Sequence, residues 1–147
     1  MTQTFNDMVK EFHTTFGMTV NGPVTYDEIA FRMRLMAEEF REVSEAAENL
    51  AVAADAIKVW DDDEHITSQF IEYMQALAKE LVDLQYVAEG TGVSLGFNMD
   101  AGRALVHEAN MSKLGADGKP VLREDGKIMK SNMYKQADMF SVLPRAS

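Results

Sequence analysis

The sequence predicts an all-α, four-helix-bundle-type protein with an irregular C-terminal tail. Three observations predict it. Apolar residues return at steps of three and four through several long stretches, capping and stop residues bound those stretches, and the chain changes character after Gly115, where Asp-Gly turn pairs take over. With 147 residues and 46% hydrophobic content the chain is read as a single domain, 1–147, with a helical body over about 4–115 and a tail over 116–147. A chain of this length buries roughly 68–70% of the surface its unfolded form exposes, so it needs no disulfide or structural metal to fold. The absence of cysteine agrees with that and removes thiolate zinc sites and cysteine nucleophiles.

The first helix is expected over about Thr4 to Phe16, where Phe5, Met8, Val9, Phe12 and Phe16 keep helical spacing and Gly17 closes it. After a turn-rich connection through Asn21-Gly-Pro23, Thr25-Tyr-Asp-Glu28 reads as a capping box that opens a long second helix. Met33, Met36, Phe40, Val43, Ala47 and Leu50 form its apolar stripe, and the helix must end by Asp61-Asp-Asp-Glu64. A third helix runs from about Ile66 to Glu89 with Phe70, Met74, Leu77, Leu81, Leu84 and Ala88 as its stripe, and Gly90-Thr-Gly92 is expected to stop it. The fourth starts after Asn98 as N-cap and reaches Gly115. Asp117-Gly118 and Asp125-Gly126 then mark a hairpin-like lid.

Formal charge is -10, and it is segregated. Up to residue 110 there are 7 basic and 20 acidic residues; beyond it there are 7 and 4. The overall sign argues against wrapping nucleic acid, and no apolar run has the length of a membrane span. The expectation is a soluble, cytoplasmic protein. An acidic body with a basic tail suits a ligand such as a polyphosphate, held through divalent cations on one side and lysines on the other.

The acidic residues are placed for that. Glu38-Glu39-Phe-Arg-Glu42 projects three carboxylates from neighbouring turns of the second helix, and Glu80-Leu-Val-Asp83 repeats the three-residue spacing on the third. Packed antiparallel, the two helices point four carboxylates at one spot, a hard oxygen donor set suited to Mg²⁺, with Mn²⁺ as the alternative.

That order, Glu-Glu-x-x-Glu and then Glu-x-x-Asp, resembles the signature of the all-α nucleoside triphosphate pyrophosphohydrolases. This is the MazG-like superfamily, which includes dimeric dUTPases and phosphoribosyl-ATP pyrophosphohydrolase. Val106-His-Glu-Ala-Asn-Met-Ser-Lys113, followed by Arg123-Glu-Asp-Gly-Lys127 and Lys130, is similar to segments of the branch with dUTPase-type activity. The resemblance spans roughly residues 25 to 140. It implies a helical homodimer, or a tetramer, that uses Mg²⁺ to hydrolyse a nucleoside triphosphate to the monophosphate and pyrophosphate. By position it makes Glu39, Glu42, Glu80 and Asp83 metal ligands and Glu38 the group that joins the cluster or activates water. Asn110, Lys113 and Lys127 fall near the phosphates, with Arg123 and Lys130 in the same segment. Tyr134 and Trp60 are candidates to stack on a base. The branch makes dUTP or another deoxynucleoside triphosphate the first substrate and phosphoribosyl-ATP the alternative. The 37 residues between Glu42 and Glu80 are towards the long end for the motif and put base choice in doubt.

Two rival readings weigh against it. A di-iron bundle wants Glu-x-x-His on two helices, and Lys10, Asp62 and Ala104 stand three residues before His13, His65 and His107. A noncatalytic helical interaction module would use the eleven methionines as adaptable surface. At helical spacing, though, methionines are more often plain core.

Overall fold

The computed structural model describes residues 3–59 and 64–144. Its elements are α1 (Phe5–Thr15), α2 (Tyr26–Val59), α3 (Glu64–Leu95), α4 (Met99–Met111) and a 3₁₀ turn over Phe140–Val142. There is no strand among the described residues; two isolated antiparallel bridges, Leu114 with Pro120 and Leu122 with Ile128, stand in the tail. Helices α2 and α3 have 34 and 32 residues, so each is about 50 Å long. They run antiparallel, since Glu28 meets Ser94 at one end while Glu39 meets Glu80 and Asp83 further along.

The helix ends show how the sequence sets these lengths. Thr4 and Asp7 form a reciprocal capping box at the start of α1. At its other end Gly17, at φ +66°, leads a Schellman closure in which the Met18 N–H donates to the His13 carbonyl. Asn98 caps α4 through its side-chain oxygen, as expected.

Three expectations are corrected. The pair Gly90 and Gly92 does not stop α3, which continues to Leu95 and ends in a second Schellman motif. There Gly96 is at φ +76° and the Phe97 N–H donates to the Gly92 carbonyl. The two glycines serve packing instead. A Cβ on Gly90 would come within 2.9 Å of His13 Nε2, and one on Gly92 would collide with the Met99 side chain. Helix α4 ends at Met111, short of Gly115, because Leu114 and Gly115 already belong to the first tail turn. At α2 only half of the expected capping box forms. Thr25 Oγ1 accepts the Glu28 N–H, but the Glu28 carboxylate turns inward to Thr19, Arg32 and Ser94.

The buried core of the protomer is small: Val9, Ala46, Ala53, Val93, Leu95, Ala109 and Val142 are its buried apolar residues among those described. The expected apolar stripes of α2 and α3 lie partly open, with Phe40 at 63% exposure and Leu81 at 43%. The α2 face turned to α3 is instead the one that carries Glu28, Arg32, Glu39 and Ala46, spaced by four, seven and seven. The protomer exposes 10809 Å², whereas a compact monomer of 16.4 kDa exposes roughly 7,500 Å².

The tail folds back rather than trailing. Its turns at Gly118 and Gly126 both use positive φ. Ser131 Oγ donates to the Leu114 carbonyl, the Lys135 N–H donates to Ser112 Oγ, and the Asn98 N–H donates to the Val142 carbonyl.

Candidate functional site

Glu39 on α2 and Glu80 and Asp83 on α3 meet where the two long helices face each other. One carboxylate oxygen from each lies within 4.8 Å of the others. All three side chains are half-buried. Glu42, one turn along the same α2 face, is half-buried too, and its charge is felt at Glu39. Glu38 is exposed on the adjoining face.

The electrostatics follow from the crowding. The Glu39 carboxyl is pushed above its ordinary range, first by burial and then by Glu42, Asp83 and Glu80. Lys79 answers part of this charge. Its ammonium is 2.8 Å from Asp83 Oδ2 and 3.1 Å from both oxygens of Glu80, and those partners hold it firmly protonated. An all-oxygen, anionic cluster on two rigid helices fits a hard divalent cation and offers no soft donor.

A family comparison adds to this geometry. The model of the phosphoribosyl-ATP pyrophosphohydrolase family matches residues 9–110. The chain belongs to that family. The phosphoribosyl-ATP pyrophosphohydrolase family is itself part of the MazG-like all-α superfamily, so the resemblance read from the motifs and the helical fold agree with it. Its description is of a pyrophosphohydrolase, a hydrolase of phosphoric anhydrides, and the family is typically metal-dependent. The matched span contains all five expected acidic site residues and ends at Asn110, leaving the tail outside. No curated protein matches the chain.

The tail residues are placed differently from the cluster. Asn110 is exposed on the last turn of α4, and Lys113 follows the C-cap Ser112 with its N–H donating to the Asn110 carbonyl. Arg123 is engaged by Asp125, and Lys130 lies 4.4 Å over the Tyr134 ring. Lys127 is exposed. No ion pair joins any of these cations to Glu39, Glu80 or Asp83 among the described residues. Trp60 lies outside the described residues. Among the described residues no helix is long and apolar enough to cross a membrane.

One buried charged group escaped the sequence reading. Glu89, 2% exposed, accepts from the Asn6 amide at 2.7 Å and pairs with Arg103 at 2.5 Å, tying α1, α3 and α4 together. Arg32, also 2% exposed, donates to Glu28 at 2.8 Å. Beside it His13 donates from Nδ1 to the Thr19 carbonyl at 2.7 Å, which assigns its tautomer because a carbonyl only accepts. The signal for Glu89 was present as a lone charge between Ala88 and Gly90, two small residues that leave room for neighbouring helices.

Proposed function

We propose that the chain is a Mg²⁺-dependent nucleoside triphosphate pyrophosphohydrolase that releases a nucleoside monophosphate and pyrophosphate, with dUTP or another deoxynucleoside triphosphate as substrate. The observation that carries this reading is the convergence of Glu39, Glu80 and Asp83 across two helices. These three, with Glu42, would hold the cation. When bound, Mg²⁺, or Mn²⁺ in its place, neutralises phosphate charge and acidifies a coordinated water.

The chain's own residues supply the rest. Glu38, exposed beside Glu39, takes the proton of the attacking water. Asn110, Lys113, Lys127, Lys130 and Arg123 bind the phosphates, and Tyr134 with its cationic neighbour Lys130 borders the base. The tail cations make no ion pair with their own protomer's cluster among the described residues, and closing of the tail, or approach to a second copy's cluster, would bring them to the triphosphate. A homodimer is part of the reading. The protomer's excess of exposed surface and the open stripe through Phe40 and Leu81 support it.

The second reading, hydrolysis of phosphoribosyl-ATP, is favoured by the description of the matching family. Hydrolysis of a panel of canonical and deoxynucleoside triphosphates and phosphoribosyl-ATP with Mg²⁺, scoring pyrophosphate against orthophosphate, separates the two. Turnover of phosphoribosyl-ATP with every free triphosphate ignored would replace the first reading with the second. Orthophosphate as the released product would end both.

A further inference from the structure

The carboxylate cluster is not without a cation of its own. Lys79 lies four residues before Asp83 and so shares a face of α3 with it. Its ammonium reaches both oxygens of Glu80 and one of Asp83, and its charge is felt at Glu39. The Glu80 side chain is mostly buried, at 16% exposure, while that of Lys79 is 64% exposed. The ligands are therefore fixed by the helix pair, whereas the lysine leans in from solvent and is free to leave.

We propose that Lys79 is the built-in counter-cation of the metal site, and that a divalent ion displaces it toward the phosphates of the substrate. The inference rests on the metal-centre reading above and goes beyond it. The competing cations share acceptors: an ion ligated by Glu80 and Asp83 draws on the oxygens the ammonium now holds, and a dication a few ångströms away repels the ammonium. The flexible four-carbon stem lets the ammonium turn outward without any change in the helix. A phosphate held at the ion is then the nearest strong acceptor for it. The same lysine thus opposes metal binding before substrate arrives and favours phosphate binding afterwards, two effects of opposite sign that a merely structural surface pair does not have.

Calorimetric titration of the full chain with Mn²⁺ alone tests the first effect. Lys79→Gln is expected to bind Mn²⁺ roughly three- to tenfold more tightly than the unsubstituted protein, with Lys79→Arg close to the unsubstituted value, because a dication and a unit charge at this range interact at about that strength under screening. Titration of the Mn²⁺-loaded proteins with manganese tripolyphosphate tests the second, and Lys79→Gln is expected to bind it severalfold more weakly. Equal or weaker Mn²⁺ binding by Lys79→Gln overturns the counter-cation role, and unchanged tripolyphosphate binding overturns the transfer to phosphate. Failure of the metal centre itself looks different: Glu80→Gln and Asp83→Asn would then bind Mn²⁺ as well as the unsubstituted protein does.

Discussion

Replacing Glu39 with Gln should make the protein more stable without metal and less stable with it. The Glu39, Glu80 and Asp83 oxygens lie within 4.8 Å of one another. Two like charges at that separation repel by about 1 kcal/mol in water-like surroundings and by about 3.5 kcal/mol at the screening typical near a protein surface. Glu39 meets two such neighbours and Glu42, and the Lys79 ammonium cancels part of the repulsion. A net relief of about 1 kcal/mol remains on this reasoning, which for a chain of this size raises Tm by about 2–4 °C. Divalent metal at a hundred times its Kd stabilises the unsubstituted protein by about 2.7 kcal/mol, whereas the variant, short of one anionic ligand, gains far less. The two melting temperatures, measured in a chelator and then in Mn²⁺, should cross. The pH dependence has a fixed sign. Because the folded Glu39 pKa is raised, the folded state holds its proton where the unfolded state has lost it, so metal-free stability falls as pH rises through the window above 4.5. The variant should flatten that slope. A variant destabilised in the chelator, or one that gains as much from Mn²⁺ as the unsubstituted protein, would refute the reasoning.

Asn6→Ala leaves a buried Glu89 oxygen without its amide donor and should cost about 1.5–3 kcal/mol, read as a drop in urea midpoint, with Mn²⁺ affinity unchanged; a loss under about 0.5 kcal/mol would show that the carboxylate finds another partner. Burial, with help from the Arg32 cation, holds His13 below its ordinary pKa, so the unfolded state takes up a proton first and stability should fall as pH drops through 6.5. Urea unfolding between pH 7.5 and 5.5 should show this slope, and His13→Gln should reduce it. Phe40→Asp combined with Leu81→Asp should give a 16.4 kDa species in light scattering where the unsubstituted chain gives twice that mass; a monomeric unsubstituted protein at micromolar concentration would end the dimer reading.

The helices were legible because their apolar spacing and their caps are local signals, and Gly17 and Asn98 act where the sequence placed them. Errors arose where a tertiary contact overrode a local preference. Gly90 and Gly92 read as a stop because glycine weakens helices, yet His13 and Met99 need the space that those missing side chains leave. Glu28 read as a cap partner, yet Arg32 and Ser94 compete for it from within the bundle. The apolar stripes were legible as stripes, but a sequence does not state whether such a face meets its own chain or another, and here Phe40 and Leu81 stay outside. The convergence of Glu39 with Glu80 and Asp83 was within reach because two three-residue spacings on paired helices constrain it. The partners of the tail cations were not, since Arg123 takes Asp125 and Lys130 takes the Tyr134 ring, contacts that no helical spacing announces.

The two glycines inside α3 also divide the molecule energetically. Each weakens the helix by about 1 kcal/mol relative to alanine, so the last two turns of α3 rely on docking: His13 of α1 and Met99 press against them and Glu28 of α2 reaches Ser94. Residues 89 to 95 are therefore helical by docking, and Glu89, Val93 and Ser94 there are among the most deeply buried of the described residues. In hydrogen exchange α1 and the end of α3 should open together, as one cooperative unit, when that docking is lost. The ligating carboxylates lie outside that unit, further back along α3, so loss of the docked end need not carry them with it.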